Sequence, residues 1–117
     1  MAQQLPWVHD QTIGLVLRRT AQQYDQRESI IFPRADVRYT WATFDHEVDK
    51  VARGLLALGF QPGDHFGIWS TNWPEWVILQ FATARIGVVL VTINPAYRSD
   101  ELAYVLLQSN VRGLALI

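Results

Sequence analysis

Cysteine is absent from the 117 residues. Disulfides, thiolate metal sites and a cysteine nucleophile are therefore excluded. Charge is scarce as well. Asp, Glu, Lys and Arg together make up 18% of the chain, against about a quarter in ordinary soluble domains. The charges nearly cancel, ten basic against eleven acidic. No field draws in nucleic acid, and there is neither a basic run nor an acidic tail. The three histidines stand at positions 9, 46 and 65, too far apart for metal-ligand spacing. His46 sits among Asp45, Glu47 and Asp49 and reads as part of a solvated helix face, while His65 opens a strand. The seven glycines are scattered at 14, 54, 59, 63, 67, 87 and 113, with no GxGxxG, GxxxxGK[ST] or GxSxG among them. No apolar run reaches membrane-spanning length; the longest apolar-leaning window, "WVILQFATARIGVVLVTI", is broken by Gln80, Arg85 and Gly87. The opening "MAQQLPWVHDQT" lacks the charged and apolar regions of a signal peptide.

Hydrophobic residues are abundant, at 50%, and five of them are tryptophans. Their spacing defines elements. "TIGLVLRRTAQQY" reads as a helix capped by Thr12, with Ile13, Val16, Leu17 and Ala21 on one face. Ser29 to Phe32 and Val37 to Thr40 form a hairpin around the turn "PRAD". Thr40 is placed to cap a long helix whose stripe is Trp41, Phe44, Val48, Val51, Leu55 and Leu58, ended by Gly59. After the turn "QPGD" comes the strand "HFGIWS". Asn72 offers a cap to the next helix, "PEWVILQFATARI", with Pro74 in its first turn. That helix is apolar nearly all round, which implies burial on more than one side. Gly87 ends it, and the unbroken "VVLVTI" reads as a strand covered on both faces. Ser99 is expected to cap a further helix that starts with Asp100 and Glu101 and stops at Asn110, before the strand "GLALI".

Strand and helix alternate over the second half, so the fold class is α/β. An N-terminal helix and a β-hairpin precede a partial parallel β-sheet with flanking helices. In open parallel sheets ligands bind beyond the carboxyl ends of the strands. Two loops qualify, "STNWPE" and "NPAYRS". The first reads mainly as a capped helix start with Trp73 and Trp76 packed around it, Trp76 the more buried of the two. In the second, Arg98 could meet an anion or pair with Asp100 or Glu101. Asp49 and Arg53, four apart, form a helix-surface pair and not a catalytic one. A receiver domain has a similar length and strand order, but "HFGIWS" ends in no carboxylate.

The run from "YTWATFDHEVDKVARGLLALGF" through "QPGD" and "NWPEWV" to "FATARIGVVLVTINPAYRSDEL" resembles the N-terminal part of the adenylate-forming acyl-CoA synthetases. The wording "IWSTNWPEW" and "TINPAYR" is similar to their medium- and longer-chain fatty acyl-CoA ligase branch. The resemblance spans about Thr12 to Ile117. It implies that a fatty acid carboxylate attacks the α-phosphate of ATP, with Mg²⁺ screening the phosphates, and that CoA then displaces AMP. It also implies that the phosphate-cradling loop and the mobile lysine of that chemistry lie downstream of this chain, so no catalytic residue carries over. Asn94, Pro95 and Tyr97 are expected to line the approach of CoA.

Residues 1–117 are then expected to be the N-terminal portion of an AMP-binding domain, cytoplasmic or peripheral at a membrane. The expected partners are a fatty acid and the rest of the enzyme. The chain alone is expected to be inactive, to bind ATP, CoA and Mg²⁺ only weakly, and to self-associate through its last strand. The rival reading is a non-catalytic α/β interaction module.

Overall fold

The computed structural model describes residues 8–117. Helix α1 spans Ile13–Gln23 and is capped by Thr12, whose side chain accepts the Leu15 N–H at 3.1 Å. Strands β1 (Glu28–Phe32) and β2 (Val37–Thr40) pair antiparallel. A single 3₁₀ turn at Pro33–Ala35 joins them, closed by Asp36 in the left-handed region with φ 51°. Thr40 then ends β2 and caps α2 (Trp41–Ala57), accepting the Thr43 N–H at 3.2 Å.

The other three strands are β3 (His65–Trp69), β4 (Val89–Ile93) and β5 (Gly113–Leu116). They form a parallel sheet in the order β4-β3-β5, with β3 central. Helix α3 (Pro74–Arg85) links β3 to β4, and α4 (Ser99–Ser109) links β4 to β5. The two crossovers run in opposite directions across the sheet. Because such connections are right-handed, they place α3 on one face and α4 on the other.

The main core lies where α1, α2 and α3 meet, around Leu17, Phe44, Val48, Ala52, Ile78 and Ala82. Phe44 stacks edge-on against Phe81 with centroids 5.6 Å apart. A second cluster, Leu55, Phe66 and Val88, fixes the helices to the sheet. Arg85 bonds the Asp45 side chain, joining α3 to α2.

Some expectations need correction. The buried face of α1 is Gly14, Leu17 and Ala21, while Ile13 is 62% exposed. Gly14 lets α1 approach so closely that an added Cβ would stand 3.1 Å from the Arg85 Cα. In α2, Ala52 takes a core position, and Leu58 at the C-cap is 76% exposed. α3 is capped by Trp73, without a side-chain bond, and not by Asn72. At α4 the capping residue is Arg98, and Ser99 lies inside the first turn. The useful bond there runs from the Arg98 N–H to the Glu101 carboxylate, 2.7 Å. A carboxylate reaching back over one turn does what the serine hydroxyl was expected to do. β4 is not covered throughout, since Val89 is 47% exposed and Thr92 is exposed too.

Candidate functional site

Two loops leave the carboxyl end of the sheet side by side. β3 and β4 run in flush register, Trp69 beside Ile93, so the segments after them start level. Their helices go to opposite faces, which opens a crevice between the strand ends. That is the topological switch point, where open α/β sheets bind ligands.

The β4 side is built on Asn94. Its side-chain oxygen accepts the Ala96 N–H at 3.0 Å, closing an Asx turn. Its backbone carbonyl accepts both the Tyr97 N–H at 3.1 Å and the Trp69 indole N–H at 3.1 Å. The indole thus ties the end of β3 to the turn that carries Pro95 and Tyr97. On the β3 side, the buried Ser70 donates its hydroxyl to the Thr71 carbonyl at 2.8 Å. Thr71 in turn accepts the Trp73 indole N–H at 3.1 Å, which holds that ring outward, 41% exposed. Trp76, one turn into α3, is partly buried and faces the crevice.

The crevice is a cleft of about 630 Å³. Ser70, Thr71 and Asn72 form one wall, and Asn94, Pro95 and Tyr97 the other, with Val105 of α4 behind. The structure therefore brings together all three residues expected from the sequence. It adds Thr92, Trp76 and the "STN" segment, which had read chiefly as packing around a helix start. Arg98 is exposed, and its guanidinium joins no ion pair among the described residues.

No charged side chain among the described residues lines the cleft. Its walls offer hydroxyls, carboxamides and aromatic faces, which suit a neutral, amide-bearing chain. They do not suit a triphosphate, whose charge calls for backbone nests or cations. No group of three or more His, Asp or Glu able to hold a metal occurs among the described residues. The groups with shifted ionisation lie elsewhere. Burial, then the Glu47 charge, raises the Tyr39 phenol above its usual value, but Tyr39 packs against α2. The Asp64 carboxyl is held below its usual value first by the Gln61 backbone N–H, then by Arg112. Asp64 precedes β3, so it stands at the amino end of the sheet.

Residues 17–116 match the family model described as AMP-binding enzyme. The chain belongs to the AMP-binding enzyme family. The chain is 44% identical over 106 residues to the Bacillus subtilis (strain 168) protein YngI, covering 91% of its own length and 19% of that protein. It is 43% identical over 107 residues to the human mitochondrial medium-chain acyl-CoA ligase ACSF2, covering 92% of its own length and 17% of that protein. Its backbone superposes on a Mycobacterium tuberculosis fatty acyl CoA synthetase with a TM-score of 0.86 at 29% identity, over 88% of this chain and 20% of that one. The chain thus spans less than a fifth of the length of these two curated relatives. The α/β architecture with a small parallel sheet is that of the N-terminal domains of adenylate-forming enzymes.

Proposed function

We propose that residues 1–117 are the N-terminal portion of the AMP-binding domain of an ATP-dependent fatty-acid–CoA ligase of the medium- and longer-chain branch. The whole enzyme activates a fatty acid as its acyl-adenylate and passes it to CoA, with ATP, CoA and Mg²⁺ as its small-molecule requirements. Its setting is cytoplasmic, peripheral at the membrane where fatty acids partition. Within this chain, Asn94, Pro95 and Tyr97 line the approach of CoA.

One observation carries the site assignment. The uncharged, amide- and hydroxyl-walled cleft sits at the switch point between β3 and β4. A neutral wall accepts the amide-bearing arm of CoA without paying the desolvation that charged side chains would impose. The turn that carries Pro95 and Tyr97 is held from two sides, by the Asn94 Asx turn and by the Trp69 indole. Such preorganisation is what a binding wall requires.

The two half-reactions separate the claims. The 117-residue chain alone should give no ATP–pyrophosphate exchange with fatty acids of any length, and exchange above the enzyme-free background would refute the reading that activation needs residues beyond it. In the enzyme that contains this chain, Tyr97→Ala should raise the KM for CoA several-fold while ATP–pyrophosphate exchange, which needs no CoA, stays unchanged. An equal loss in both half-reactions would remove the CoA assignment.

A further inference from the structure

The loop after β4 turns at a peptide plane that is held by one end only. The Asn94–Pro95 peptide is planar, and Pro95 brings no N–H to it. Its orientation therefore rests on the Asn94 carbonyl. Two donors meet that oxygen, the Tyr97 N–H and the Trp69 indole N–H, each at 3.1 Å. They have different consequences. The Tyr97 bond closes the turn on itself and moves with it. The indole comes from outside the turn, from the last residue of β3. Beyond the ladder that ends at Ile93, the other hydrogen bonds of residues 94–98 among the described residues stay in the loop or the first turn of α4. The Ala96 N–H donates to the Asn94 side chain, the Arg98 N–H to Glu101, and the Leu102 N–H to the Arg98 carbonyl.

The anchor is a rigid one. Trp69 pairs with Ile93 on one side and with Leu116 on the other, so the central strand fixes its backbone from both edges. Trp69 is half-buried. Every contact in this tie is internal to the chain, between residues 25 apart, and none depends on which surfaces are covered in the whole enzyme.

We infer that Trp69 is a positioning residue for the CoA-dependent half-reaction. Through the Asn94 carbonyl it fixes the peptide plane that sets Pro95 and Tyr97 against the cleft. This rests on the reading of that cleft as the approach of CoA. Acyl-adenylate formation needs no CoA, so the contribution of Trp69 falls on CoA binding and not on activation. Without the indole N–H the turn keeps its own bonds but tilts freely against β3, and CoA must then order it on binding.

The test uses the enzyme that contains this chain, with the two half-reactions measured separately. Trp69→Phe should raise the KM for CoA by about two- to tenfold, since the turn loses ordering worth up to one hydrogen bond. The kcat at saturating CoA and the rate of ATP–pyrophosphate exchange should stay unchanged. Trp69→benzothienylalanine, in which sulfur replaces the N–H in a ring of the same shape, should do the same, which separates the lost donor from lost packing. In a Tyr97→Ala background either change should have a much smaller effect, because Trp69 acts through the turn. Three results would overturn the inference while leaving the CoA reading intact. One is a KM for CoA that both Trp69 variants leave unchanged although Tyr97→Ala raises it. Another is a parallel loss of exchange and thioester formation in both variants, which makes the indole a general structural support. The third is an undiminished Trp69 effect in the Tyr97→Ala background. A KM for CoA that Tyr97→Ala leaves unchanged would instead remove the CoA reading, and this inference with it.

Discussion

The same substitution, glycine to alanine, should change stability in opposite directions at two positions. Gly54 lies on the exposed side of α2, and a Cβ there would meet nothing within 4 Å. Alanine is favoured over glycine inside a helix by about 0.8–1.0 kcal/mol, so Gly54→Ala should stabilise by roughly that amount. Gly113 opens β5, where an added Cβ would stand 2.8 Å from the Phe60 Cζ and 3.0 Å from the Phe66 Cε2. Carbon atoms prefer about 3.5–4.0 Å. The rings cannot both yield freely, because they pack edge to face at 5.2 Å and Phe66 is only 9% exposed. Overpacking costs about 1–3 kcal/mol, and the lower chain entropy of unfolded alanine returns about 0.4–1. Gly113→Ala should therefore lose about 1–2 kcal/mol net. Urea unfolding reads both changes as midpoint shifts at constant m. Phe60 is the half-buried ring, so in a Phe60→Leu background the cost of Gly113→Ala should fall by about half, a coupling that a double-mutant cycle isolates. Two shifts of the same sign, or a Gly113→Ala cost indifferent to Phe60, would refute the packing argument.

Thr40→Ala removes a cap bond and should cost about 0.5–2 kcal/mol, while Ser99→Ala, inside the first turn of α4, should change the urea midpoint little; equal costs would restore Ser99 as the cap. The Asp64 carboxyl is held below its ordinary 3.8 by the Gln61 N–H and then by Arg112. Its contribution to stability is therefore complete above 3.8 and is lost as pH falls from there through the lower folded value. Asp64→Asn should flatten the acid limb of melting temperature against pH, and an unaltered limb would show that the carboxylate contributes nothing there. In single-tryptophan variants acrylamide should quench Trp73, which is 41% exposed, faster than the partly buried Trp76; the reverse order would mean that the Thr71 bond does not hold Trp73 outward in solution.

Periodicity exposed the order of elements because most of their ends are marked by local chemistry. Thr12, Thr40, Pro74 and Asn110 act where their side chains or dihedral preferences dictate. The misjudged positions depend on neighbours distant in sequence. Gly14 counts for little on any hydrophobic scale, yet it is buried because α3 presses its backbone against it. Arg85 looks like a surface residue, but two carboxylates of α2 accompany it inward, leaving its side chain 12% exposed. At α4, serine and glutamate compete for the same role, and a carboxylate bond to a backbone N–H is the stronger. The walls of the cleft were visible as two strand-end loops. Their joining by the Trp69 indole was not, because that bond spans 25 residues and follows from the register of two strands.

The middle strand of the sheet is also the first of the three to be synthesised. β3 has no neighbour until Ile93 emerges, 24 residues after Trp69, and its other edge waits for β5. At about 5–20 residues per second, the first wait lasts about 1–5 s on the ribosome. Throughout it the apolar "HFGIW" has both edges open, while the core around Phe44 waits only for Ile78, Phe81 and Ala82 of α3. Biosynthesis thus completes the helical core with α3 before it completes the sheet with β4 and β5. Codon choice between Trp69 and Ile93 governs how long a nascent chain displays an apolar strand with both edges open, and synonymous changes there should alter soluble yield without altering a single side chain.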